Sequence, residues 1–211
     1  MHNMIEYSIP WTEIENAEAK PGIYAWYYNP PIGDADRDDP DGWPDLVKRY
    51  VLDHRRPVME VNAKAALGLE FDGQINHSLF TGPGESDWNP DLGSIDLVTD
   101  ILRSAVPKLG APLYIGIARK SLKTRLCRHK SDIERYQRKG IETVAEIRDE
   151  DPEREADRIF ASRVVDREID TNSLIVEALG VDTSTYKNPS DGLGSAEYIL
   201  NRIYFPILGR K

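Results

Sequence analysis

The chain has 211 residues, is 40% hydrophobic and 30% charged, and carries a formal net charge of −9. That length suits one domain, or one domain with a large insertion, and the acidic balance argues against generic nucleic-acid binding. No apolar run reaches the roughly 18–20 residues of a membrane span. The opening MHNMIEYSIPW lacks a secretory signal, and the single cysteine, Cys127, leaves no internal disulfide and no cysteine-based zinc site. A cytoplasmic protein is the expectation.

In chain order, Pro21-Gly22 punctuates the start, and IYAWYY (23–28) is the β-branched and aromatic run of a strand. Residues 29–45 are rich in Asp, Pro and Gly, with five Asp within 34–41, and read as an exposed loop without the spacing of a calcium-binding EF-hand. LVKRYVLDHRR (46–56) has helical spacing, and 58–80 alternates around Asp72-Gly73 as a hairpin does. A loop at 81–94 leads to Ser94, which caps a helix with Ile95, Val98, Ile101, Leu102 and Val106 on one face. His54 and His77 have no partner pattern and read as structural.

APLYIGIA (111–118) is the next strand, and Ser121 caps a helix running to about Lys139, with Leu122, Leu126, Ile133 and Tyr136 as its apolar face. Cys127 on that helix is expected to pack inward. ETVAEIRDEDPEREAD (142–157) reads as acidic surface, RIFASRVV (158–165) as a third strand, and 170–181 as a helix capped by Asp170. Ser195 reads as the cap of a last helix, AEYILNRIYF. The expected class is α+β: a small central antiparallel sheet flanked by helices, a core of 1–29 and 111–211, and an inserted helix and hairpin subdomain over 30–110.

Charge is unevenly distributed. Residues 1–111 hold 19 acids against 9 bases, whereas Arg119–Lys139 alone hold 9 bases against Asp132 and Glu134. Such a segment after a strand is either a solvated helix face or a local phosphate-facing surface. Arg119, Lys120, Lys123, Arg128 and Lys130 are the candidate nucleic-acid contacts.

Two tripeptides, Gly22-Ile23-Tyr24 and Tyr114-Ile115-Gly116, each fall at an expected strand. Together they resemble the signature strands of the GIY-YIG nuclease superfamily. Arg125 follows Tyr114 by eleven residues, where that family carries its arginine, and His129 completes an Arg-x-x-x-His arrangement. In EYILNRIYFPILG (197–209), Glu197 precedes Leu200 by three residues and Pro206 by nine, as in the family's closing pattern. The sequence departs from the family in two places: 89 residues separate Tyr24 from Tyr114, and Gly209 stands where an asparagine is common.

The resemblance implies a metal-dependent endonuclease acting on DNA, with RNA as an open alternative. It implies Tyr24 or Tyr114 as the base that deprotonates or orients water, Arg125 as the charge on the scissile phosphate, and Glu197 as the ligand of one Mg²⁺ or Mn²⁺. A planar guanidinium fits phosphate oxygens better than an ammonium, and Mg²⁺ keeps most of its waters and needs few protein ligands. A phenol ordinarily has a pKa near 10, and nearby cations are expected to lower it. Glu197 is expected in the first turn of the last helix, with Glu177 as the alternative acid. His129 is either a solvent-facing helix residue or a phosphate contact or base-orienting group. The rival functions are nucleic-acid binding on a decayed nuclease scaffold and an acidic interaction protein using the insertion.

Overall fold

The computed structural model describes residues 4–29, 58–64, 70–76, 95–140, 147, 149, 151–184, 186–206 and 208–209. The chain forms two units, Met1–Pro31 with Asp100–Lys211, and Ile32–Thr99. Within the second, β3 (Val58–Lys64) pairs antiparallel with β4 (Glu70–Asn76). The antiparallel pair is therefore present, but Asp72-Gly73 lies inside β4, opposite Asn62 and Val61. The expected loops at 30–45 and 81–94, the helix at 46–56, Ser94, His54 and His77 lie outside the described residues. Helix α1 (Ile95–Leu109) forms where the periodicity places it, although Ile101 of the expected apolar face is 53% exposed.

The larger unit is α+β. Strands β1 (Met4–Pro10), β2 (Gly22–Tyr28), β5 (Tyr114–Ala118) and β6 (Leu174–Val181) form one antiparallel sheet in the order β1-β6-β2-β5. Strict alternation sends Tyr24, Trp26 and Tyr28 of β2, and Leu174, Val176 and Ala178 of β6, to one buried face. Helix α2 (Leu122–Lys139) covers that face with Leu122, Leu126, Ile133 and Tyr136, all buried as expected. Burial of each such side chain contributes about 1.5–3 kcal/mol. Ser121 caps the helix by accepting from Thr124 N at 3.1 Å.

Three expected elements are different. RIFASRVV is no strand: it belongs to helix α3 (Pro152–Asp166), which Asp151 caps by accepting from Glu153 N, with Pro152 in the first turn. Ala156, Asp157, Phe160, Ala161 and Val164 are buried at helical spacing. The stretch taken as acidic surface thus supplies part of the core, including the fully buried Ile147 and Asp157. Residues 174–181 are no helix: Asp170 does cap, accepting from Asn172 N, but only a 3-10 turn at Thr171–Ser173, after which β6 runs between β1 and β2. Helix α4 (Pro189–Tyr204) begins six residues before Ser195, at a proline in its first turn. No helix among the described residues is long and apolar enough to cross a membrane.

Candidate active site

The two signature tripeptides are adjacent in space. Gly22 stands opposite Ala118, and Tyr24 opposite Gly116, across β2 and β5. Tyr114 lies two residues before Gly116, so both phenols project from one face of the sheet, with ring centroids 6.2 Å apart. Both glycines are required by space. A Cβ on Gly116 would lie 2.6 Å from Tyr24 Oη and 2.7 Å from Tyr114 Cε1; one on Gly22 would meet the Leu179 carbonyl oxygen.

Helix α2 brings Arg125 and His129, one turn apart, onto the phenols. Arg125 Nε donates to Tyr24 Oη at 3.3 Å, and His129 Nε2 lies 2.6 Å from the same oxygen. His129 is neither solvent-facing nor in contact with the exposed surface: it is fully buried among Tyr24, Trp26, Tyr114 and Phe160. A phosphate contact by His129 is excluded by that burial, whereas an orienting role agrees with it.

Helix α3 supplies two acids that sequence reasoning did not single out. Fully buried Asp157 lies 2.7 Å from Arg125, 3.1 Å from His129 Nε2 and 3.6 Å from Arg128. Glu153 accepts from Arg125 at 2.5 Å and pairs with Arg119. The signal for both was the Asp151-Pro152 helix start, which places residues 153 and 157 one turn apart on one face.

Tyr24 Oη and Asp157 Oδ1 share one imidazole nitrogen, and Nδ1 finds no hydrogen-bond partner among the described residues. The tautomer therefore decides the pairing: a bare Nε2 accepts the Tyr24 hydroxyl, and a protonated one serves the Asp157 carboxylate. Neither phenol is a low-pKa base in this state. Burial pushes Tyr24 well above the ordinary phenol value, with Tyr114 adding to the shift and Arg125 opposing it. Burial likewise pushes Tyr114 up to about 12, Arg125 opposing and Asp157 and Glu197 adding. Arg125 does lower both values, as expected of a nearby cation, but desolvation is the larger effect and the net shift is upward.

Beside β5, an edge strand, runs a cleft of about 780 Å³ lined by Tyr114, Arg119, Arg125, Glu153, Glu197 and Asn201, among others. Tyr114, itself only 4% exposed, lines the cleft, while Tyr24, 1% exposed, stands behind it. Glu197 comes from the third turn of α4, not the first, because the helix starts at Pro189. Glu177 is removed as the alternative acid: it opposes Ala25, on the sheet face away from Tyr24, where it acts on Tyr27. Asn201, one turn beyond Glu197, donates to the Glu197 carbonyl oxygen at 2.9 Å and lines the same cleft. Gly209 is buried elsewhere, its carbonyl oxygen accepting from Arg163 of α3.

The basic segment divides. Arg119, Lys120 and Arg128 surround Arg125 at a second hollow of about 320 Å³. Lys130 points away, pairing with Glu15 at 2.7 Å, and Lys123 acts on the same Glu15. Cys127 is partly buried against the core, and burial pushes its thiol up, as befits a packing residue. Among the described residues no group of three or more His, Cys, Asp or Glu is arranged to hold a metal. Of the carboxylates lining the cleft, Asp151, Glu153 and Glu197, Glu153 is engaged by Arg119 and Arg125, and Glu197 has an amide beside it in Asn201. A carboxylate with an amide suits a hydrated Mg²⁺ or Mn²⁺ that completes its shell with waters and phosphate oxygens. Comparison with family models, with curated proteins and with solved structures finds no match to this chain.

Proposed function

We propose that the protein is a GIY-YIG-type endonuclease that hydrolyses phosphodiester bonds in DNA with one divalent ion. The observation that carries this reading is the convergence of Tyr114, Arg125 and Glu197, from a strand and two helices, on one cleft beside the signature glycines. Arg125 would neutralise charge developing on the transferring phosphate. Tyr114, at the cleft, would orient the attacking water. Behind it, Tyr24 would be held in place by His129 and Arg125, which Asp157 positions in turn. The upward-shifted phenols favour a positioning role for both tyrosines over that of a free phenolate base. Glu197, with Asn201 beside it, would hold the Mg²⁺ or Mn²⁺, which when bound polarises the scissile phosphate.

The test is Glu197→Gln, which keeps size and helix context while removing the charge. The variant should bind DNA at least as well as the parent and cleave none at any Mg²⁺ or Mn²⁺ concentration; normal cutting would sink the assignment. Nucleic-acid binding without cleavage is a second reading, supported by Gly209 at the family's asparagine position and by Glu153, which already occupies Arg119 and Arg125. Parent protein that binds DNA but never nicks it in divalent ion would favour that reading.

A further inference from the structure

We propose that the α4 wall of the cleft stacks unpaired bases, so that the preferred ligand is a single-stranded DNA segment, such as a flap or gap, and not intact duplex. The inference rests on the nuclease reading for its choice of nucleic acid. The residues of α4 and its end that line the cleft are Gly194, Glu197, Tyr198, Asn201, Arg202 and Phe205. Their spacing of three, one, three, one and three makes one continuous helical stripe. Glu197 and Asn201 run along its middle, with aromatic rings beside and beyond them.

Those rings are open. Tyr198 is 61% exposed and Phe205 76% exposed, and the Arg202 guanidinium lies over the Tyr198 ring at 5.0 Å. Seven residues separate the two aromatics, about 10 Å along a helix, or roughly three stacked bases at about 3.4 Å each. Phe205 sits at the helix end with φ +46°, in the left-handed region where glycine or asparagine is ordinary. A bulky aromatic held in that conformation and exposed contributes nothing visible to the core, which fits a ligand role.

A second depression of about 640 Å³ adjoins the cleft and shares with it Arg119, Gly194 and Tyr198. Gly194 lies inside α4, where glycine weakens a helix, and a Cβ there would meet no atom within 4 Å. The missing side chain leaves a bare path from one depression to the other, past the Tyr198 ring.

Charge favours the same ligand. Duplex presents phosphates outward and hides its base faces, so it is held mainly by unpaired cations. Here Arg119 and Arg125 are engaged by Glu153, Arg128 by Asp157 and Lys130 by Glu15. Unpaired bases offer π-faces that exposed Tyr and Phe can stack, with a guanidinium assisting.

The experiment is fluorescence anisotropy with the full chain in EDTA, so that nothing is cut, using a labelled oligothymidylate, an oligouridylate of the same length and a blunt hairpin duplex. The single strand should bind at least about tenfold more tightly. Tyr198→Ala and Phe205→Ala should each weaken it about 5- to 100-fold, from the usual worth of one stacked base, and leave duplex binding nearly unchanged. Gly194→Leu, a better helix former in open space, should block the strand while leaving the melting temperature equal or higher. Equal or tighter duplex binding, or single-strand affinity insensitive to all three variants, overturns the proposal. So does preference for oligouridylate, which would assign the wall to RNA. Cleavage in Mg²⁺ is scored separately. Stacking without Glu197-dependent cleavage would sink the nuclease reading alone, and cutting of intact duplex unaffected by the three variants would sink the stacking alone.

Discussion

Tyr24 Oη lies 2.6 Å from Nε2 of His129, although the two residues are 105 positions apart, and both are shut away from solvent. The contact ties the first signature strand to the helix after the second. It depends on Gly116, whose absent side chain leaves the space in which the Tyr24 hydroxyl sits.

Gly116→Ala should therefore disturb more than its size suggests. Its methyl would stand 2.6 Å from Tyr24 Oη, and the pressed groups are two buried rings with little room to shift. Overpacking of this kind costs about 1–3 kcal/mol. Chemical denaturation should show that loss, and the Tyr24–His129 hydrogen bond should weaken, seen as a shift of the His129 ring resonances. An unperturbed ring spectrum would show that the sheet edge relaxes freely.

Arg125→Ala is usually a mild change in a helix, but here it strips a buried partner from Asp157. Removing one member of a buried ion pair costs about 3–5 kcal/mol. The variant should be that much less stable in urea as well as inactive. Arg125→Ala combined with Asp157→Asn should recover part of the stability and none of the cleavage. Equal stability of single and double variants would show that Asp157 is held by His129 and Arg128 alone.

Glu153→Gln should raise DNA affinity, because it releases Arg119 and Arg125 from a carboxylate that competes with phosphate. Each arginine freed to meet a phosphate should steepen the log–log salt dependence by about 0.7–0.9. Lys130→Ala should leave that slope unchanged, since Lys130 is bound to Glu15 away from the cleft. A salt titration of DNA binding checks both, and a slope that falls with Lys130→Ala would return that lysine to the interface.

Alkaline pH should unfold the protein earlier than its unburied tyrosines would. Tyr114 has a folded pKa of about 12 against an ordinary 10.0, so its contribution is complete below pH 10 and is lost as pH rises toward 12. Two pH units correspond to about 2–3 kcal/mol. Tyr24, shifted in the same direction, adds to the loss. Tyr114→Phe should flatten stability between pH 10 and 12; an unchanged pH profile in the variant would assign the loss to other groups.

The residues themselves determined the local parts of this protein. The two tyrosine strands, the Ser121-capped helix with its apolar stripe, and the acidic balance with one basic segment all follow from neighbouring residues, through alternation, capping and helical period. The resemblance named Tyr24, Tyr114, Arg125 and Glu197, and the fold gathers them: three line the cleft and Tyr24 stands behind Tyr114. Only the tertiary structure decided the rest. RVV at 163–165 closes a helix because Asp151-Pro152 starts one upstream, and LIVEALGV becomes a strand because β1 and β2 pair both its edges. His129 is buried because α3 folds over α2, and Asp157 is accommodated inside the core because Arg125 and His129 meet it there. Burial and charge pairing are sums over distant neighbours, and those neighbours also decide that Tyr114 holds its proton and that half of the basic patch is already occupied.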